Sequence, residues 1–141
     1  LISVAIATCS KPPCECDFVP KHYIDCKLTN QQGQNLVFGS SAIYITDSIQ
    51  VLKSDNNLSI NNASVRKSLD DSFSLRFDFY IEATRSFIYY KYQTKTDTLD
   101  IAWSEKTGKC CGSSTTYYVP GEVKFNGALI QPTNGVYYFV K

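Results

Sequence analysis

The sequence holds no methionine, one tryptophan and one histidine. A single histidine, His22, leaves little from which to build a Ser-His-Asp triad, a Cys-His pair or a histidine-ligated metal. Charge is also scarce. Charged residues are 19% of the chain and the net charge is +1, a balance that excludes a strongly basic nucleic-acid binder and an acidic disordered tail. After the first eight residues no apolar run approaches the roughly 20 residues that a membrane-spanning helix needs. The sequence has no heptad, no internal repeat and no glycine-rich phosphate loop. Helix builders are few, with 7 Ala and 9 Leu, whereas 9 Val, 11 Ile, 11 Thr and 19 aromatics favour strands. Branched and aromatic side chains suit a pleated, half-buried surface, so the 141 residues read as one all-β domain.

Strand signals recur between turn residues. Tyr23 to Thr29 alternates, with Ile24, Cys26 and Leu28 on one face. Ala42 to Lys53 follows, with Ile43, Ile45, Ile49 and Val51 on one face and a break near Asp47. The plainest strand sets Phe73, Leu75, Phe77, Phe79 and Ile81 against Ser74, Arg76, Asp78 and Tyr80, a period of two that no helix produces. Arg85 to Thr94 is apolar on both faces, as in a central or covered strand. Asp97 to Ser104 alternates again, with Leu99, Ile101 and Trp103 inward. Glu105 to Ser114 reads as a loop, and Thr115 to Phe125 as a strand interrupted at Pro120-Gly121. Asn126-Gly127 is the strongest hairpin turn, because both residues tolerate φ > 0. Gly135 to Lys141 closes the chain as a last strand. Seven or eight short strands predict a two-sheet antiparallel sandwich.

The first eight residues are apolar or small and precede Cys9. They fit either a signal-peptide remnant ending at an acylated cysteine or a buried N-terminal strand. Residues 9–20 contain Pro12-Pro13, a stiff spacer suited to a tether, and residues 21–141 form the sandwich domain. With Cys9 lipidated, Cys14, Cys16, Cys26, Cys110 and Cys111 suffice for two disulfides and one free thiol. Without lipid, three bridges and 15 connectivities arise. A zinc site from Cys14, Cys16, Cys110 and Cys111 is a competing reading, but neither pair has the two-to-four spacing of structural zinc, so disulfides in an oxidising envelope are expected. Cys26 points inward, either to a bridge with Cys110 or Cys111 or as an inert thiol.

Four stretches carry a resemblance: the lipobox-like end at Cys9, Leu28-Thr29-Asn30 with Gly33-Gln34-Asn35-Leu36, Asp97-Thr98-Leu99, and Val123 to Gly127 with Tyr137 to Lys141. Together they resemble the small outer-membrane lipoproteins of the Bacteroidota, which have immunoglobulin- or transthyretin-like β-sandwich domains. The resemblance implies a lipid anchor on Cys9 in the outer membrane, with the periplasmic or cell-surface face left open. It also implies an O-glycosylation sequon, which Asp47-Ser48-Ile49 and Asp97-Thr98-Leu99 both fit, at Ser48 and Thr98.

Other chemistry is thinly represented. His22 reads as a solvated edge residue beside Lys21 and Tyr23. Asp55-x-Asn57-x-Ser59 opens like a calcium loop, but Ile60 stands where glycine is needed and Arg66 where glutamate is. Neither a catalytic residue, nor a metal, nor a cofactor other than lipid on Cys9 is therefore expected. Tyrosine is abundant, and Tyr89, Tyr90, Tyr92, Tyr117, Tyr118, Tyr137 and Tyr138 are candidates for a binding face, since a ring and a hydroxyl come with little entropy to lose. The expected function is that of a non-enzymatic envelope lipoprotein, an accessory or structural subunit docking to an outer-membrane protein complex. Nucleic acid and small molecules are not expected partners. The alternative is a free surface module that binds glycan or protein through the tyrosine-rich face.

Overall fold

A computed structural model describes residues 14–18, 22–53, 59–62, 64–67, 72–79, 85–91 and 96–141. Within them lie ten strands: β1 (Tyr23–Thr29), β2 (Ile49–Lys53), β3 (Ser59–Asn62), β4 (Ser64–Lys67), β5 (Phe73–Asp78), β6 (Arg85–Tyr90), β7 (Asp97–Cys110), β8 (Ser113–Phe125), β9 (Ala128–Ile130) and β10 (Val136–Val140). A single 3-10 turn, Thr46–Ser48, precedes β2. One sheet runs β10-β1-β5-β4 and the other β3-β2-β6-β7-β8-β9. The expected two-sheet sandwich is what forms, with two corrections. The described residues form ten strands where seven or eight were expected, and β1 pairs with β10 in parallel, Cys26 opposite Tyr137 and Leu28 opposite Phe139.

The core follows from alternation along the strands. Ile24, Cys26 and Leu28 of β1, Leu75 and Phe77 of β5 and Phe139 of β10 face Val51, Ile88, Leu99, Ile101, Val123 and Phe125 of the larger sheet. Phe125 and Phe139 stack across the two sheets with centroids 4.5 Å apart. Each fully buried aliphatic or aromatic side chain of this kind contributes about 1.5–3 kcal/mol. Strand β6 is central, between β2 and β7, which accounts for apolar residues on both of its faces. Asn126 and Gly127 both have positive φ, so the β8–β9 hairpin turns as expected.

Three local expectations are corrected. Strand β2 begins only at Ile49. Before it, Ile43 and Ile45 are exposed while Tyr44 turns inward, because the backbone N–H groups of Ile43 and Tyr44 are both tied to the Leu36 carbonyl. Phe73 of β5 is also half exposed, against Phe38. Most of Glu105 to Ser114 is strand, not loop. Residues Ser104 to Cys110 pair with Ser113 to Val119, and the reversal takes only Cys111 and Gly112, both at positive φ. This stretch lacks an apolar alternation because its hairpin runs past the core.

Candidate functional site

Two features project from the sandwich: a hairpin arm and a groove beside it. Among the described residues β6 pairs with β7 from Asp97 to Asp100, and along its outer part β7 has β8 as its one described strand neighbour. From Ser104 to Cys110 that is an arm of roughly 20 Å at the usual rise per strand residue. A bulge between Ile101 and Trp103 sets its angle. Gly121 permits the bulge, since a side-chain carbon there would come within 2.5 Å of the Ala102 carbonyl oxygen.

The N-terminal segment Cys14–Phe18 takes the place of the missing neighbour at the tip. Cys16 forms an antiparallel bridge with Cys110, the Asp17 N–H donates to the Lys109 carbonyl, and the Lys109 N–H donates to Asp17 Oδ1 at 2.8 Å. Disulfides Cys14–Cys111 and Cys16–Cys110 lock the same contact. Phe18 lies over Gly108, where any side chain would collide with its ring, and stacks on Tyr117 at 4.0 Å. Residues 14–18, the end of the expected tether, are thus pinned to the arm.

The groove has a volume of about 1170 Å³. Its floor is the outer face of the four-stranded sheet, where β1 presents Tyr23, Asp25 and Lys27, β5 presents Ser74 and Arg76, and β10 presents Tyr138. Phe18, Tyr117, Val119 and Pro120 wall one side and the turn from Pro132 to Gly135 another. Asp25 and Arg76 form a bidentate pair at 2.7 and 2.8 Å. That hydrogen bond, against some desolvation, raises the Arg76 pKa further and keeps the guanidinium charged. Arg76 also lies 3.7 Å from the centre of the Tyr23 ring. Lys27 is buried, donates to Ser72 Oγ and lies 5.6 Å from the Tyr138 ring centre. Most rings in this groove therefore already have one face occupied.

The predicted residues divide sharply. Tyr117 and Tyr138 reach the groove, Tyr137 touches its lining, and Tyr23, which was not among the candidates, joins them. Tyr89 and Tyr118 are half-buried elsewhere on the larger sheet. Tyr90 is fully buried, which removes it from any binding face, and Tyr137 is nearly so. Burial raises the Tyr137 hydroxyl pKa, and burial with a hydrogen bond to Asp97 raises that of Tyr90 much further. Cys26 is a free thiol at 0% exposure, pushed well up by burial, so it makes no disulfide and is the inert alternative. His22 is not a solvated edge residue, for it is half-buried with its ring edge-on to Trp103 at 6.3 Å. Cys9, the first eight residues, Pro12, Pro13 and Tyr92 lie outside the described residues.

Ser48 Oγ donates to the Ile45 carbonyl at 2.6 Å within the 3-10 turn. Thr98 Oγ1 donates to Asn126 Oδ1 at 3.2 Å. Its neighbour Asp97 centres a polar knot at one end of the sandwich. Tyr90 Oη and Lys141 Nζ both donate to Asp97 Oδ2 at 2.7 Å, and Asn126 Nδ2 donates to Oδ1 at 2.9 Å. Lys141 Nζ lies 3.7 Å from the centre of the Tyr90 ring, which itself stacks on Tyr44. Burial alone would raise the Asp97 pKa, but the hydrogen bonds from Lys141, Asn126 and Tyr90 outweigh it and hold the carboxyl below its ordinary value. All of these groups are spent on one another, which makes the knot a structural clasp.

Comparison with family models, with curated proteins and with solved structures finds no match to this chain. Among the described residues no helix is long and apolar enough to cross a membrane.

Proposed function

We propose that this chain is a non-enzymatic accessory subunit of a cell-envelope assembly, anchored through lipid on Cys9, and that it docks a protein partner along the groove and the hairpin arm. The observation that carries the reading is the state of the groove's rings. Sugar recognition uses open aromatic faces, but one face of Tyr23 is taken by Arg76 and one face of Tyr117 by Phe18. What the groove offers instead is ring edges, hydroxyls, a fixed ion pair and the apolar surface of Val119 and Pro120, the kind of mixed surface that protein interfaces use. Its breadth and openness suit an extended chain better than a small molecule. The lipid anchor has a separate support. Four cysteines are consumed in two bridges and Cys26 is sealed in the core, so no described cysteine is left at the surface to pair with Cys9.

The test is extraction of the native protein from membranes with mild detergent, followed by intact-mass measurement and size analysis. The expected result is a chain that begins at a diacylglyceryl- and acyl-modified Cys9 and elutes with a larger protein at fixed stoichiometry. Tyr138→Ala combined with Val119→Asp should release that partner without unfolding the sandwich. A chain that runs alone and binds oligosaccharides, with binding lost in Tyr138→Ala, would establish the free glycan-binding module instead. Retention of residues 1–8 without lipid would overturn the anchor.

A further inference from the structure

Four cysteines meet at the arm tip, in two bridges that join it to residues 14–16. Cys14–Cys111 joins residues 97 apart, which already removes a large share of the unfolded chain's freedom. Once it has formed, Cys16–Cys110 closes the small ring made by residues 14–16 and 110–111 and so adds a smaller constraint than the first. The geometry meanwhile gathers sulfur. The Sγ atoms of Cys14, Cys110 and Cys111 lie within 4.8 Å of one another, and the fourth, on Cys16, is bonded to that of Cys110. Adjacent strand residues normally point to opposite faces. Here Cys111 sits at φ 55, a left-handed conformation that non-glycine residues rarely adopt, and its sulfur comes round to that of Cys110. All four residues are exposed or partly exposed, in contrast to Cys26.

We propose that, when both bridges are reduced, Cys14, Cys16, Cys110 and Cys111 form a tetrathiolate site for one thiophilic d10 cation of the zinc class. Tetrahedral coordination at about 2.3 Å per metal–sulfur bond sets sulfurs roughly 3.8 Å apart, and three of the four sulfurs already lie within 4.8 Å of one another. Four soft thiolates select zinc-class or cuprous ions over calcium or magnesium. The chemistry balances. Two equivalents of a dithiol reductant deliver four electrons and four protons to open both bridges and are themselves oxidised to disulfides. The cation then displaces four thiol protons and forms four metal–sulfur bonds with no change of oxidation state. Because the cation would hold segment 14–18 on the arm as the bridges do, the arm tip has two closed states, one oxidised and one metallated.

The full chain, reduced without oxygen, is titrated with Cd²⁺ while the ultraviolet thiolate-to-cadmium band is recorded. The band should saturate at one Cd²⁺ per chain, and Zn²⁺ should compete. Cys14→Ser should weaken binding at least tenfold, and Cys26→Ala should leave it unchanged. Differential alkylation of the unsubstituted chain supplies a readout that depends on no variant. With Cd²⁺ present, Cys14, Cys16, Cys110 and Cys111 should be protected together, while Cys9, a free thiol in a chain expressed without the lipid, should react. If the reduced chain loses the structure of its arm, Cd²⁺ should restore it, as seen by recovered resistance to proteolysis at residues 14–18. Absence of a saturating band, half-equivalent stoichiometry, protection of Cys9 in place of one of the four, or unchanged binding by Cys14→Ser would each overturn the proposal.

Discussion

The polar knot gives the most quantitative prediction, for the substitution Asp97→Asn. Both oxygens of Asp97 act as acceptors, Oδ2 for Tyr90 and Lys141 and Oδ1 for Asn126. An asparagine keeps one oxygen and turns its amide N–H₂ either toward Lys141 or toward the Asn126 amide, so one donor must face another. It also strands the Lys141 charge, whose side chain is only 17% exposed. Removing one partner of a fully buried ion pair costs about 3–5 kcal/mol. Here the slight exposure of both groups and the remaining contact of Lys141 with the Tyr90 ring reduce the expectation to about 2–3 kcal/mol. Urea unfolding at pH 7, followed by Trp103 fluorescence, reads this loss as a lower midpoint at unchanged slope. Asp97 has a folded pKa below its unfolded one, so the unfolded state binds more protons between those values and stability rises with pH there. The contribution is therefore fully present above about pH 4, the ordinary carboxylate range, and is lost as pH falls through the folded value. The gap between wild type and Asp97→Asn should narrow over that acid window. A double-mutant cycle with Lys141→Met should return a coupling above 1 kcal/mol. A loss below about 0.5 kcal/mol at pH 7, or a gap that does not change with acid, would refute the clasp.

Two further perturbations address other parts of the molecule. Cys26→Ser puts a hydroxyl into a fully buried apolar site and should destabilise by about 1–3 kcal/mol, while iodoacetamide should fail to label the wild-type thiol until the chain unfolds. Equal labelling rates in native and denaturing buffer would contradict its burial. Gly121→Ala would set a side-chain carbon 2.5 Å from the Ala102 carbonyl oxygen, and it should cost about 1–3 kcal/mol by straightening the bulge. The loss should be accompanied by faster amide exchange from Ser104 to Cys110, and an unaltered exchange pattern would show that the arm's angle does not depend on this residue.

Several features were legible residue by residue. The alternation of Leu75, Phe77 and Phe79, the two-sided apolar character of β6 and the Asn126-Gly127 turn all translate directly into structure. The arm was not legible, and the reason is physical. Strand periodicity is visible in a sequence only where one face meets a core, and Glu105 to Ser114 meets none. Its cue was the Cys111-Gly112 pair, a two-residue turn that is hard to notice because cysteine seldom takes a left-handed conformation. Ile43 and Ile45 misled in the opposite direction, since their spacing matches a strand whereas the ties of residues 43 and 44 to the Leu36 carbonyl turn Tyr44 inward. The tyrosine-rich face divided for a related reason. In pairs such as Tyr89-Tyr90 and Tyr137-Tyr138 one ring must face the core, and which one depends on the register of the strand.

Composition and spacing by themselves determined the all-β class, the sandwich of two sheets and most of the core, because burial of alternate side chains is a local rule applied along each strand. Tertiary structure alone decided which cysteines meet, since pairings 94 and 97 residues apart depend on where β7 and β8 carry the arm tip. It alone decided that β10 lies parallel beside β1 and so completes the groove floor. It also decided that Asp97 serves the fold rather than standing as an open surface carboxylate. Contacts of this kind join segments whose sequences carry no mark of one another, and only the packed chain brings them within bonding distance.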